Sequence, residues 1–248
     1  MSHRPCRALD TSAGRLACAW DPGTVYRIGF PPDPWAWPGW EFARNDGRFG
    51  GRWDDANGEF RTVYAASTML GCLLEVLAPL RPDPLVTAAL DQIVEGEEDA
   101  ADHPTANAGT LNRAWITARR ATAAQLAGIY CCVTETESIA TLRPHFLAVA
   151  TVELDLPDFD AAVLRSSRPR ELTQRVASWL WEQATVDGKA FDGVRFFSRY
   201  GDEHELWAVF ERDEDGSVSS HLSHVHPLDL EGHPDLPEAM RIHGLRWA

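Results

Sequence analysis

Gly50-Gly51-Arg52-Trp53-Asp54-Asp55, followed by Thr62-Val63-Tyr64-Ala65-Ala66-Ser67 and Leu73-Leu74-Glu75-Val76-Leu77, is the stretch on which the reading of this chain turns. Paired glycines allow a tight turn and a close approach to the backbone, and Arg52 follows them directly. The β-branched Thr62 and Val63 predict a short strand over 61–66 carrying Tyr64. Ser67 is placed to cap a helix from Thr68 to about Ala78, closed by Pro79. A cation, an aromatic ring and a carboxylate are thereby delivered by three adjoining elements. That trio suits a ligand with phosphates, a flat ring and a developing positive charge, as a dinucleotide has.

Within the helix, Leu70, Leu73, Leu74, Leu77 and Leu80 share one side at 100° per residue and form its buried stripe. Glu75 falls nearly opposite, beside Thr68, Gly71 and Cys72. Solvated helix faces usually carry long charged side chains, whereas this one carries small residues around a single carboxylate. The arrangement leaves room for something to lie against Glu75.

Upstream, Thr24–Phe30 alternates as a strand ended by Pro31 and Pro32, with Val25, Arg27 and Gly29 on one face and Tyr26, Ile28 and Phe30 on the other. A solvated edge-strand arginine and a ligand-binding one are equally open for Arg27. Residues 31–40 hold four prolines and three tryptophans, which reads as a surface loop tucked in by its indoles or, alternatively, as a wall over a cleft. Downstream, 84–95 is read as a helix, 96–109 as an acidic loop and 110–127 as a helix ended by Gly128. Strands are expected over 129–133, 146–154 and 205–210, with a helix over 170–184. Phe191–Tyr200 reads as a turn and an aromatic strand that delivers Ser198. Arg165, Arg168, Arg170 and Arg175 cluster locally and read as solvated, with a phosphate contact as the alternative. No repeat of useful length is present.

The 248 residues, 44% hydrophobic with 10 Trp and 10 Phe, can fill a sizeable core. A net charge of −14, with Lys189 the single lysine, argues against a nonspecific grip on nucleic acid. Five cysteines in no framework or zinc spacing read as reduced thiols. With no apolar run of membrane or signal-peptide length, the expected location is cytoplasmic. His221, His224 and His226 lack a convincing further ligand, so no metal is expected. The tail reads instead as polar, ending in a short helix over 236–243.

Gly50-Gly51-Arg52-Trp53, Val63-Tyr64-Ala65-Ala66-Ser67, Leu74-Glu75-Val76-Leu77 and Phe191-Asp192-Gly193-Val194 with Phe197-Ser198-Arg199 together resemble the RES domain, named for an arginine, a glutamate and a serine in that order. Arg52, Glu75 and Ser198 stand at those positions, and Tyr26-Arg27 is similar to the family's entry strand. Asp54 stands where the family tends to carry asparagine. The resemblance implies an α+β fold of ADP-ribosyltransferase type, with mixed and antiparallel sheets flanked by helices. It divides the chain into a lead-in over 1–23, a catalytic unit over 24–211 with a helical insertion at about 81–128, and a His-rich tail over 212–248.

It further implies an NAD-degrading toxin of a toxin–antitoxin pair, cutting the nicotinamide–ribose bond by hydrolysis or phosphorolysis and blocked by a helix-turn-helix antitoxin. NAD would be substrate, with no further cofactor. Glu75, Arg52, Ser198 and Tyr64 would be catalytic, and Arg27, Arg52, Tyr26 and Tyr64 would hold NAD. Glu75 would stabilise the sugar cation, Arg27 and Arg52 would grip the pyrophosphate, and Ser198 would bond near the leaving group. Protein ADP-ribosylation and a non-catalytic nucleotide- or partner-binding module are the alternatives. In the plain structural reading, Arg52 pairs with Asp54 or Asp55, Tyr64 is a core aromatic and Ser198 caps a strand end.

Overall fold

A computed structural model describes residues 6–82, 109–166 and 168–248. Its frame is a nine-stranded sheet in the order β1-β2-β7-β8-β9-β4-β3-β6-β10. The strands are β1 (Arg7–Thr11), β2 (Gly14–Trp20), β3 (Gly23–Gly29), β4 (Thr62–Ala66), β6 (Arg120–Leu126), β7 (Ile129–Cys132), β8 (Gly193–Ser198), β9 (Gly201–Phe210) and β10 (Leu222–Leu228). Neighbours run antiparallel except β7 and β8, which pair in parallel. A second sheet of two short strands joins β5 (Thr110–Leu111) to β11 (Arg246–Trp247). Among the described residues six α-helices accompany the sheets: α1 (Met69–Leu77), α2 (Arg113–Thr117), α3 (Thr136–Ala148), α4 (Ala161–Arg165), α5 (Arg170–Glu182) and α6 (Asp235–His243). The chain is therefore α+β with a mixed sheet, as anticipated.

Alternation along the strands sorts side chains between two cores. One face carries the larger core, in which Leu73, Leu74 and Leu77 of α1 pack with residues of α3, α5 and α6. On the other face Val63, Ala65, Tyr130 and Trp207 pack with Trp35 and Trp37. The proline-rich loop is thus pinned to the back of the sheet by its indoles, which is the tucked-loop alternative and not a wall over the cleft.

Several expectations are corrected. The presumed lead-in supplies β1 and β2, which extend the sheet past β7; its alternation is hidden by the small residues of Ala17, Cys18 and Ala19. The presumed tail supplies β10, paired with β6, and α6, which packs on α1. Residues 110–127 are not one helix: the alanine-rich segment 120–126 is a strand between β3 and β10, where its small side chains pass between two cores. Residues 146–154 continue α3 into a π-helical turn (Val149–Glu153) and form no strand. Thr68, not Ser67, caps α1, accepting from Gly71 N at 3.0 Å. Cys6 and Cys132 form a disulfide, so the all-reduced reading fails; Cys18, Cys72 and Cys131 are free and buried. The helix read at 84–95 and most of the acidic loop lie outside the described residues. Among the described residues no helix is long and apolar enough to cross a membrane, and no cluster of ligating side chains could hold a metal ion.

Candidate active site

The sheet opens between β3 and β4, which share a single paired position, Tyr26 with Ala66. β3 is internal, flanked by β4 and β6, so Arg27 is no edge-strand side chain. Its guanidinium bridges the opening, donating from Nη1 to the Tyr64 carbonyl at 2.7 Å and from Nε to the carbonyl of Pro34. Burial lowers its pKa.

α1 covers this opening. An apolar chamber of about 210 Å³ is lined by Arg27, Ile28, Cys72, Glu75, Val76, Phe196 and neighbouring residues. The residue opposite the leucine stripe therefore faces a cavity and not open solvent. Gly71 has a different use: a Cβ there would stand 3.0 Å from Oγ1 of Thr68 and crowd the hydroxyl that caps α1. Burial pushes the Cys72 thiol in the wall up to about 12.

A second chamber of about 200 Å³ adjoins the first and is lined by Gly51, Arg52, Tyr64, Glu75, Arg170, Phe196 and Arg199. Tyr64, Glu75 and Phe196 belong to both chambers and mark their junction. The cleft is accordingly apolar on one side, guanidinium-lined on the other, with one carboxylate between.

The glycine turn is held from several directions. Gly51 N donates to Asp54, whose Oδ1 accepts from the Tyr64 hydroxyl at 2.7 Å. A Cβ at Gly51 would come within 2.5 Å of that hydroxyl and 2.6 Å of the Asp54 carboxylate, so glycine is required. Gln174 of α5 donates to the Gly51 carbonyl at 2.9 Å, and Arg170 donates to that of Gly50. Asp55 accepts from Ser178 and from the Glu59 backbone. Both aspartates are thereby engaged elsewhere, and neither pairs with Arg52.

Arg52 donates to the Leu164 carbonyl at 2.7 Å and lies over the rings of Phe196 and Trp53, at 4.9 and 5.4 Å from their centroids. Its Nε is buried without a hydrogen-bond partner. Burial lowers its pKa to about 10, with Glu75 and Tyr64 pulling it up and Arg199 and Arg165 pushing it down.

Ser198, at the end of β8, donates to Glu75 Oε1 at 2.5 Å and accepts from Tyr200 N at 3.0 Å. Its proton is committed to fixing the carboxylate and not offered to a leaving group. Tyr64 is similarly engaged, since its hydroxyl also accepts from Trp53 N at 2.9 Å; burial raises its pKa well above the usual phenol value. Only its ring is left for a ligand.

Arg27, Arg52, Tyr64 and Glu75 thus line one cleft, and Ser198 backs it. Tyr26 lines neither chamber and packs against the main core. Phe196, the floor of both chambers, was missed, although period-two spacing from Ser198 puts both on one face of the strand. Arg170 is exposed, as expected, and also donates to the Gly50 carbonyl, a link to a turn 120 residues away that no local pattern signals.

A family model of the RES domain matches residues 24–231. No curated protein matches the chain in sequence. Among solved structures, the crystal structure of the M. tuberculosis MbcT–MbcA toxin–antitoxin complex is similar, at 16% identity over 94% of this chain and 93% of that one, with a TM-score of 0.42.

Proposed function

This chain belongs to the RES domain family, and on that premise we propose that it is a toxin that cleaves the nicotinamide–ribose bond of NAD. One observation carries the reading: a single carboxylate, Glu75, stands at the junction of an apolar and a guanidinium-lined chamber. In NAD the scissile bond likewise joins a flat ring to a phosphorylated ribose. The ring would occupy the apolar chamber beside Tyr64 and Phe196, and the phosphates would lie toward Arg52.

As the bond breaks, its electron pair moves to the ring nitrogen and neutralises nicotinamide, while positive charge builds on the sugar. A carboxylate about 4 Å from that charge contributes on the order of 4 kcal/mol at an effective dielectric of 20, or about three powers of ten in rate. Ser198 holds Oε1 by a 2.5 Å bond and so fixes the orientation of the carboxylate. Water then adds at the anomeric carbon and loses a proton to solvent, or phosphate adds through an anionic oxygen. The restraining antitoxin in this reading follows from family membership alone.

Incubating the purified protein with NAD, with and without phosphate, and separating the products tests the reading. Free nicotinamide with ADP-ribose or its 1″-phosphate is the expected outcome, lost in Glu75→Gln. Adenylate label retained on protein would favour protein ADP-ribosylation. Binding of NAD without consumption would overturn catalysis.

A further inference from the structure

We infer that Arg170 and Arg199, together with Arg52, form a phosphate-binding subsite that holds the diphosphate of the substrate and selects phosphorylated over unphosphorylated nicotinamide ribosides. This deepens the proposed function and rests on it for the identity of the substrate. Arg27, the other arginine expected to grip the pyrophosphate, is given a structural task instead.

Charge bookkeeping is the first ground. The chain has 37 acidic residues against 23 basic ones, so carboxylates outnumber the guanidiniums they could pair with. Yet Arg52, Arg170 and Arg199 line one chamber and make no ion pair among the described residues, whereas Arg165 nearby is paired with Asp202 at 3.6 Å. The lining includes one carboxylate, Glu75, already hydrogen-bonded to Ser198. Three like charges border about 200 Å³, with Arg170 and Arg199 exposed so that water screens their repulsion. Burial is the chief cause of the depressed pKa of Arg52, and Arg199 and Arg165 add to it.

Bonding is the second. Arg27 spends its guanidinium on the carbonyls of Tyr64 and Pro34 at the opened sheet. Arg199 touches only the hydroxyl of its neighbour Tyr200 by hydrogen bond, and its side chain is exposed. Arg52 keeps a buried, unpartnered Nε. Guanidinium forks match phosphate oxygens two at a time, and such charge-assisted bonds are about twice as strong as neutral ones.

Arg199→Ala is the decisive variant, since Arg170 also holds the Gly50 carbonyl. The ratio of kcat/KM for NAD to kcat/KM for nicotinamide riboside should fall about tenfold or more, as expected for one charge-assisted contact, with recovery in Arg199→Lys. Pyrophosphate should raise the thermal midpoint of the wild-type protein and of Arg165→Ala, and fail to do so in Arg199→Ala. An unchanged ratio overturns the subsite. So does a loss confined to the KM for inorganic phosphate, which would assign the chamber to an acceptor anion. If the wild type leaves NAD intact but still binds pyrophosphate through Arg199, the NAD reading falls and the anion site stands.

Discussion

An arginine stands on each face of β8, Arg195 of the strand itself at the back and Arg52 over Phe196 at the front, and the molecule treats them in opposite ways. On the back, Arg195 is 2% exposed and meets Glu205 Oε1 at 2.6 Å, an ion pair without hydrogen-bond alignment. Glu205 also accepts from Ser67, which accepts from Trp207, and Arg195 donates onward to the Cys6 sulfur. On the front, Phe196 supports the guanidinium of Arg52, which has no ion-pair partner among the described residues. A charge neutralised within the protein holds the protein together; a charge left unneutralised in a cleft is available to a ligand. The contrast distinguishes these two arginines by their partners alone.

Front and back should respond oppositely to substitution. The largest effect is expected at the front: Glu75→Gln should lower NAD cleavage by about three powers of ten, from the loss of about 4 kcal/mol of charge stabilisation, with little change in the thermal midpoint. Steady-state nicotinamide release beside a melting curve measures both; a destabilised but active variant would break the contrast. At the back, Arg195→Met strands a buried carboxylate and should cost about 3–5 kcal/mol of stability, roughly a 10 °C fall in midpoint. Replacing Glu205 by leucine in the same protein should restore most of it.

Arg52→Met sharpens the contrast further. Burial already opposes its charge and the bond to the Leu164 carbonyl is lost, so stability should fall by about 1 kcal/mol, well short of the cost at Arg195, while activity falls. A melting temperature reduced as far as that of Arg195→Met would make both arginines structural. The smallest effect concerns His221, bonded to Asp192 at 2.9 Å, whose pKa is raised chiefly by that bond. Its folded pKa exceeds the unfolded one, so the stabilisation is complete below the unfolded pKa and disappears as pH rises through the folded one. His221→Gln should cost under about 1 kcal/mol below that window and nothing above it, as denaturant titrations at several pH values would reveal.

Much of the front was legible in the sequence because its signals are local. Paired glycines before Arg52, β-branching around Tyr64 and the small residues beside Glu75 each depend on near neighbours. Other features depend on distant ones. Strand β6 looks helical by composition, and only its place between β3 and β10 makes it a strand. Asp54 and Asp55 looked like natural partners for Arg52, but Tyr64 and Ser178, brought in by β4 and α5, take them first. The engagement of Ser198 with Glu75, 123 residues apart, follows from topology alone.

The sheet begins outside the borders that the family model draws, and α6 lies beyond them at the other end. Cropping the polypeptide to 24–231 would strip β1 and β2 from the flank of β7, cutting the disulfide anchor with them. It would also remove α6, whose His243 reaches the Leu74 carbonyl one residue before the central carboxylate. The recognisable domain is therefore smaller than the folded unit, and α6 beyond its margin acts as a brace for the helix that carries Glu75.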